Sequence, residues 1–219
     1  MIRTAIGLVI VLSRVLLAQG PMPRFMYVYR DSVRSGVDSV YRSIENEGAQ
    51  ICADLRCPNP YIGLESLEGN HEAWWINMFA SEADTARVAR AYATDTTLAR
   101  ALGRIAQQKA ALIGTPVQGF AVYRPELSRG PAWSIAGARF VVANVTRTRG
   151  SSAGRVWVTA DSTRYILRSF RTRREAEAAA RADRGRVFAV RPNWSMPDPK
   201  WVQADREFWQ TAPVRRPRP

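Results

Sequence analysis

An α+β fold of two related sheet-and-helix units in tandem is what this sequence predicts. Three observations predict it. Strand-like runs of period two alternate with long helical runs of period 3.6, the pattern comes round a second time in shortened form, and the last strand of each half carries a shared motif. Composition agrees: 219 residues, 46% of them hydrophobic, with seven each of Trp, Tyr and Phe, can bury a sizeable core and are not a disordered or collagen-like chain.

Phe25-Met-Tyr-Val-Tyr-Arg-Asp31 has the β-branched and aromatic character of a strand. Val37, Val40, Tyr41, Ile44, Gly48, Ile51, Cys52 and Leu55 then recur every three or four residues and lay one apolar stripe along a helix, which Pro58 and Pro60 close. Strands follow at Tyr61 to Leu67 and His71 to Phe79, turned by Glu68-Gly69-Asn70. Ser81-Glu-Ala-Asp84 caps a second long helix that breaks near Asp95-Thr-Thr97 and runs to Gly114, and Val117 to Tyr123 is the fourth strand. The order β-α-β-β-α-β over 25–128 is that of a ferredoxin-like unit, an antiparallel sheet with both helices on one face.

After a linker at 129–137, the second unit at 138–209 reads β-β-β-α-β: Arg139 to Val145, Arg155 to Ala160, Tyr165 to Phe170, an alanine-rich helix from Thr172 to Asp183, and a last strand. It lacks the first helix. Phe120-Ala-Val-Tyr-Arg-Pro-Glu-Leu-Ser128 is echoed by Phe188-Ala-Val-Arg-Pro-Asn-Trp-Ser195, which argues for internal duplication. Trp194, Trp201, Phe208 and Trp209 are expected to wrap over the second sheet as a closing arm, and 210–219 is expected to be a disordered tail.

Residues 1–18 read as a signal peptide: Arg3 gives the positive start, Ala5 to Leu12 the apolar stretch, and Leu16-Leu17-Ala18 a cleavage site before Gln19. The run is shorter than the about 20 residues of a membrane span and Arg14 interrupts it, so no transmembrane span is expected. Export to the periplasm or beyond follows, while a start at Met22 or Met26 would give a cytoplasmic protein with the same fold. Cys52 and Cys57 are the only cysteines and form either a local disulfide in an oxidising compartment or part of the core. With one histidine beside them, a zinc site is not expected.

The formal charge of +13 is uneven: 25–128 holds ten Lys/Arg against twelve Asp/Glu, while 139–191 holds thirteen Arg against four acids. Nucleic acid is therefore not the expected partner, and the arginines read as a solvated basic face or as docking for an anionic partner. The near-exclusive use of arginine suits a GC-rich bacterial genome, in which the sequons at Asn144 and Asn193 are chance matches.

The β-α-β-β-α-β order, together with Gly69-Asn-His-Glu-Ala-Trp-Trp-Ile-Asn-Met-Phe79 leading into a capped helix, resembles the dimeric α/β-barrel superfamily: antibiotic-biosynthesis monooxygenases, EthD-like and NIPSNAP-like proteins. The resemblance covers 25–128 and, more loosely, the second half. It implies two sheets paired face to face around a cavity, here within one chain, giving a monomer that is an intramolecular pseudo-dimer, or a homodimer. It also implies a cofactor-independent monooxygenase or a haem-handling enzyme, with His71, Trp75 and Asn77 nearest in type to the catalytic residues of such enzymes, and haem as the cofactor of the latter kind.

Strand alternation supplies a candidate site. Met26, Val28, Trp74, Ile76 and Met78 are expected to face the helices, which turns Phe25, Tyr27, Tyr29, His71, Trp75, Asn77 and Phe79 toward the barrel cavity, joined by Glu65 and Tyr123. That polar-aromatic mixture is either sheet-on-sheet packing or a pocket for a small, largely apolar or aromatic ligand, bound by Tyr27, Tyr29, Glu65, Trp75, Asn77, Phe79 and Tyr123 without catalysis. No metal or cofactor is called for by these residues. His71-Glu72 lacks the second histidine of a zinc-protease helix, and no nucleophile elbow, phosphate loop or dinucleotide fingerprint is present.

Overall fold

A computed structural model describes residues 22–131, 133–148 and 153–216. The proposed signal peptide and residues 217–219 lie outside the described residues. In chain order the elements are β1 (Phe25–Ser32), α1 (Asp38–Leu55), β2 (Tyr61–Ser66), β3 (Glu72–Phe79), α2 (Glu82–Thr94), α3 (Thr96–Ala110), β4 (Val117–Tyr123), β5 (Phe140–Thr146), β6 (Arg155–Thr159), β7 (Arg164–Phe170), α4 (Arg173–Asp183), β8 (Arg186–Met196), α5 (Pro199–Ala204) and α6 (Arg206–Trp209). The long second helix divides where the sequence breaks it: the Asp95 carboxylate accepts from the Leu98 amide at 2.9 Å and starts α3 afresh. Ser81 caps α2 through the Asp84 amide, and Thr172 with Glu175 forms a capping box on α4.

All strand pairs are antiparallel and close into one barrel in the order β1-β3-β2-β8-β5-β7-β6-β4. Each half contributes a sheet of ferredoxin-like order, β4-β1-β3-β2 and β8-β5-β7-β6, so the second unit keeps its topology without the first helix. Two seams join the halves, β2 to β8 and β4 to β6. This is the face-to-face pairing that the resemblance implied, made within one chain.

The barrel interior is an apolar core. Met26, Val28, Ile62, Leu64, Trp74, Ile76, Val141, Trp157, Leu167, Phe188 and Val190 cluster there, each 3% exposed or less. Trp74 of β3 packs on Phe188 of β8 at 4.7 Å and on Tyr165 of β7 at 6.0 Å, contacts that only inward side chains can make. One end is stopped by Met22, Trp133, Trp201, Phe208 and Trp209, with the Arg139–Asp205 ion pair (3.3 Å) holding the arm. Trp194 is not part of that arm. It projects from an irregularity in β8, where Gly63 meets it so closely that a Cβ would stand 2.6 Å from the Trp194 Cβ. Beyond the arm, residues 213–216 run along α1, where Gln50 donates to the Val214 carbonyl and Arg216 pairs with Asp54.

Two sequence expectations are corrected here. Met26, Val28, Trp74 and Ile76 face the barrel and not the helices, so Tyr27, Tyr29, Trp75 and Asn77 lie on the outer, helix-covered face. The shared motif does not superpose by face either. Phe188 is fully buried inside the barrel, whereas Phe120 pairs with the outward Tyr27 and is 51% exposed. What the halves share is their strand order.

Candidate functional site

Between α1, α3 and the outer face of β1-β3-β2 lies a cleft of about 300 Å³. Gly48 lets the two helices approach, since a Cβ there would stand 3.3 Å from Ile105. The cleft wall is aromatic, formed by Tyr27, Tyr29, Tyr61, Trp75 and Tyr92, while Ala49, Leu102, Ile105 and Ala106 supply an apolar roof. Asn77, Glu45 and Lys109 are its polar groups.

Lys109, in the last turn of α3, carries the ammonium at the floor of this cleft. Its Nζ stands 2.8 Å from Asp31 and 3.0 Å from Glu45, and lies over the rings of Trp75 (4.5 Å) and Tyr29 (5.1 Å). The Tyr41 hydroxyl donates to Asp31 at 2.9 Å. Burial works against the charged lysine, but Glu45 and Asp31 outweigh it and hold its pKa above the ordinary value. Burial pushes the Glu45 carboxyl up, against the pull of Lys109. Two buried carboxylates thus share one buried cation.

The phenols of the cleft are held neutral. Burial, joined by the Asp31 charge, pushes Tyr29 up to about 12, and burial pushes Tyr92 up to about 12. The folded protein therefore keeps phenolic protons that the unfolded chain releases from its ordinary value of 10.0 upward, and stability is expected to fall between pH 10 and about 12. Unfolding midpoints measured across that window, with phenolate absorbance, check this; a flat profile would mean the rings are wetter than described.

His71 is placed elsewhere. Its Nδ1 meets Asp38 and its buried Nε2 stands 3.0 Å from Glu65 without a hydrogen bond to it; that buried carboxylate accepts from Arg42 (2.7 Å) and Arg191. Trp75 packs near Trp194 at 6.4 Å, and Tyr41 lies between these aromatics and the imidazole. Of the residues the sequence singled out, Tyr27, Tyr29, Trp75 and Asn77 come together in the cleft. Glu65 and His71 form the neighbouring ion cluster, Phe79 is buried near Phe120, and Tyr123 packs inside on Trp157 at 5.4 Å. Sequence reasoning missed Glu45, Lys109, Tyr61 and Tyr92. A signal existed for Lys109, one of two lysines in an arginine-rich chain and set on the apolar stripe of its helix.

Haem does not fit these residues. The sole imidazole has both ring nitrogens against carboxylates and is not free to take an axial position on iron. Among the described residues no cluster of metal-ligating side chains occurs, and no helix is long and apolar enough to cross a membrane.

No protein-family model matches the chain, and no curated protein matches it by sequence. Solved structures similar to it include a "Putative monooxygenase" from Fusobacterium nucleatum subsp. nucleatum ATCC 25586, at 6% identity, covering 80% of this chain and 94% of that one with a TM-score of 0.46. Another "putative monooxygenase", from Lactobacillus acidophilus NCFM, matches at 6% identity over 85% and 89% of the two chains, TM-score 0.45. A "Putative Chlorite dismutase" matches at 9% identity over 78% and 96%, TM-score 0.43.

Proposed function

We propose that the chain is an exported protein that binds a small, largely apolar aromatic molecule without transforming it, in the cleft beneath α1 and α3. The observation that carries this reading is the cleft itself: five aromatic side chains and an aliphatic roof enclose a space suited to one small ring system. Lys109 at its floor is already paired with Asp31 and Glu45, so the ligand need not bring an anionic group to meet it. Asn77 accepts from Asn59 and keeps its own amide hydrogens available to orient a ligand oxygen. The Cys52–Cys57 disulfide beside the cleft supports export, because such bonds persist in oxidising compartments.

The test uses 2-naphthol as a neutral aromatic probe. Ala106 is exposed and lines the cleft, so Ala106→Trp fills the space without removing a wall residue. One-site quenching of tryptophan fluorescence by 2-naphthol is expected in the parent and a loss of at least about tenfold in affinity in A106W, with the thermal midpoint held. Equal binding by both would sink the reading.

Trp75 and Asn77 standing together in the cleft favour a second reading, cofactor-independent oxidation of the bound ring. Oxygen uptake on adding 2-naphthol, abolished in Trp75→Phe, would support it. His71 gives it no help, being tied to Asp38 and Glu65 outside the cleft.

A further inference from the structure

The arm closes one end of the barrel, and the other end opens into a hollow of about 550 Å³ bounded by β1, β4, β5, β6 and β7. Its lining mixes apolar and charged groups. Val117 and Phe120 are each 51% exposed and Val145 is 38% exposed. These are three of the five exposed large hydrophobic residues among the described residues, and all three line this hollow. Apolar side chains gathered at a concavity, and not scattered, mark a binding site.

Beside Val117, its cross-strand partner on β4, stands Arg30, which faces inward from β1. Its guanidinium lies over the Trp74 ring at 4.4 Å and spends one N–H on Glu72 at 3.2 Å. Glu72 is shared: Arg186 donates to its other oxygen, and the Trp74 Nε1 donates to it at 2.8 Å. Two guanidiniums thus face one carboxylate, and the group carries a net positive charge. The remaining charged residues of the rim answer each other, since Arg147 pairs with Asp161 at 2.6 Å and Thr163 donates to the same carboxylate at 3.0 Å. Arg30 spends one N–H on Glu72 and keeps others for a ligand, because a guanidinium has five N–H groups.

We propose that this open end is a second binding site, for an organic carboxylate with an apolar body: Arg30 meets the carboxylate, and Val117, Val145 and Tyr165 cover the body. An arginine stacked on an indole is held in one orientation, which suits recognition of a planar carboxylate. The hollow lies at the mouth, where β4 runs beyond its pairing with β6 and leaves Phe120 at an open edge. Arg30 faces it from the side of the sheet opposite the helix-covered cleft, so the two sites take different ligands. Their failures are separable.

The probe is 4-phenylbutyrate, with 4-phenylbutanamide as its neutral counterpart, titrated by calorimetry into the full chain. The carboxylate is expected to bind at one site about tenfold more tightly than the amide. Arg30→Gln should remove that preference. Because Arg30 also packs on Trp74 and its loss can unsettle the fold, Val145→Asp at the exposed rim is the second variant; it should weaken the carboxylate by at least about tenfold with an unchanged thermal midpoint. Ala106→Trp, which fills the cleft, should leave 4-phenylbutyrate binding intact. Equal affinity for acid and amide, indifference to Val145→Asp, or loss of binding in Ala106→Trp would each overturn the proposal.

Discussion

Lys109→Met is expected to cost about 3–5 kcal/mol of stability at neutral pH, because it leaves Asp31 and Glu45 as buried carboxylates with no cation between them. For a chain of this length that is a fall in Tm of roughly 10 °C. The pH dependence carries the diagnosis. Burial already raises Glu45 in the parent, and without the ammonium, whose pull lowers it, Glu45 should resist ionisation further. That part of the deficit is present above the unfolded value of Glu45, 4.5, and shrinks as the pH falls toward it. Denaturant unfolding of parent and variant at pH 7 and at pH 4.5 checks this. A deficit below about 1 kcal/mol at pH 7 would show that water reaches the cluster.

The second large effect distinguishes two adjacent tryptophans. Trp74→Ala is expected to cost about 3–5 kcal/mol, since it empties the space between Phe188 and Tyr165 and leaves Glu72 without the indole donor. Trp75→Phe keeps most of its ring contacts under the helices and should cost no more than about 1.5 kcal/mol while weakening 2-naphthol. Paired denaturation and binding measurements read both. The reverse ranking, with Trp75 carrying the stability, would restore the opposite assignment of strand faces.

That assignment shows where the sequence was legible. Strand and helix positions followed from period, and the break at Asp95 followed from its capping chemistry, because those signals are local. The faces did not follow. Alternation separates Trp74, Ile76 and Met78 from Trp75 and Asn77 but does not say which set is inside. The polar-aromatic set suggested a cavity, yet it is the helix-covered side that needs polar groups, because α1 and α3 bring Glu45 and Lys109 down onto Tyr29 and Trp75. Those partners lie 64 residues apart in the chain, a distance no periodicity spans. The disulfide was visible as an alternative from spacing alone, and its formation is a matter of the turn after Leu55, where Arg56 takes a left-handed conformation and brings Cys57 back to Cys52.

The two seams of the barrel bear on how the chain comes off the ribosome. The β4–β6 seam joins strands made in quick succession, but β8, at Arg186–Met196, must return to β2, at Tyr61–Ser66, and at the same time take its place beside β5. Until β8 is made, β2 and β5 each present an unpaired edge, and such edges add strands from any chain within reach. Closure of that gap is a long-range step and is expected to be slow. The last strand synthesised decides whether a nascent chain completes itself or pairs with its neighbour.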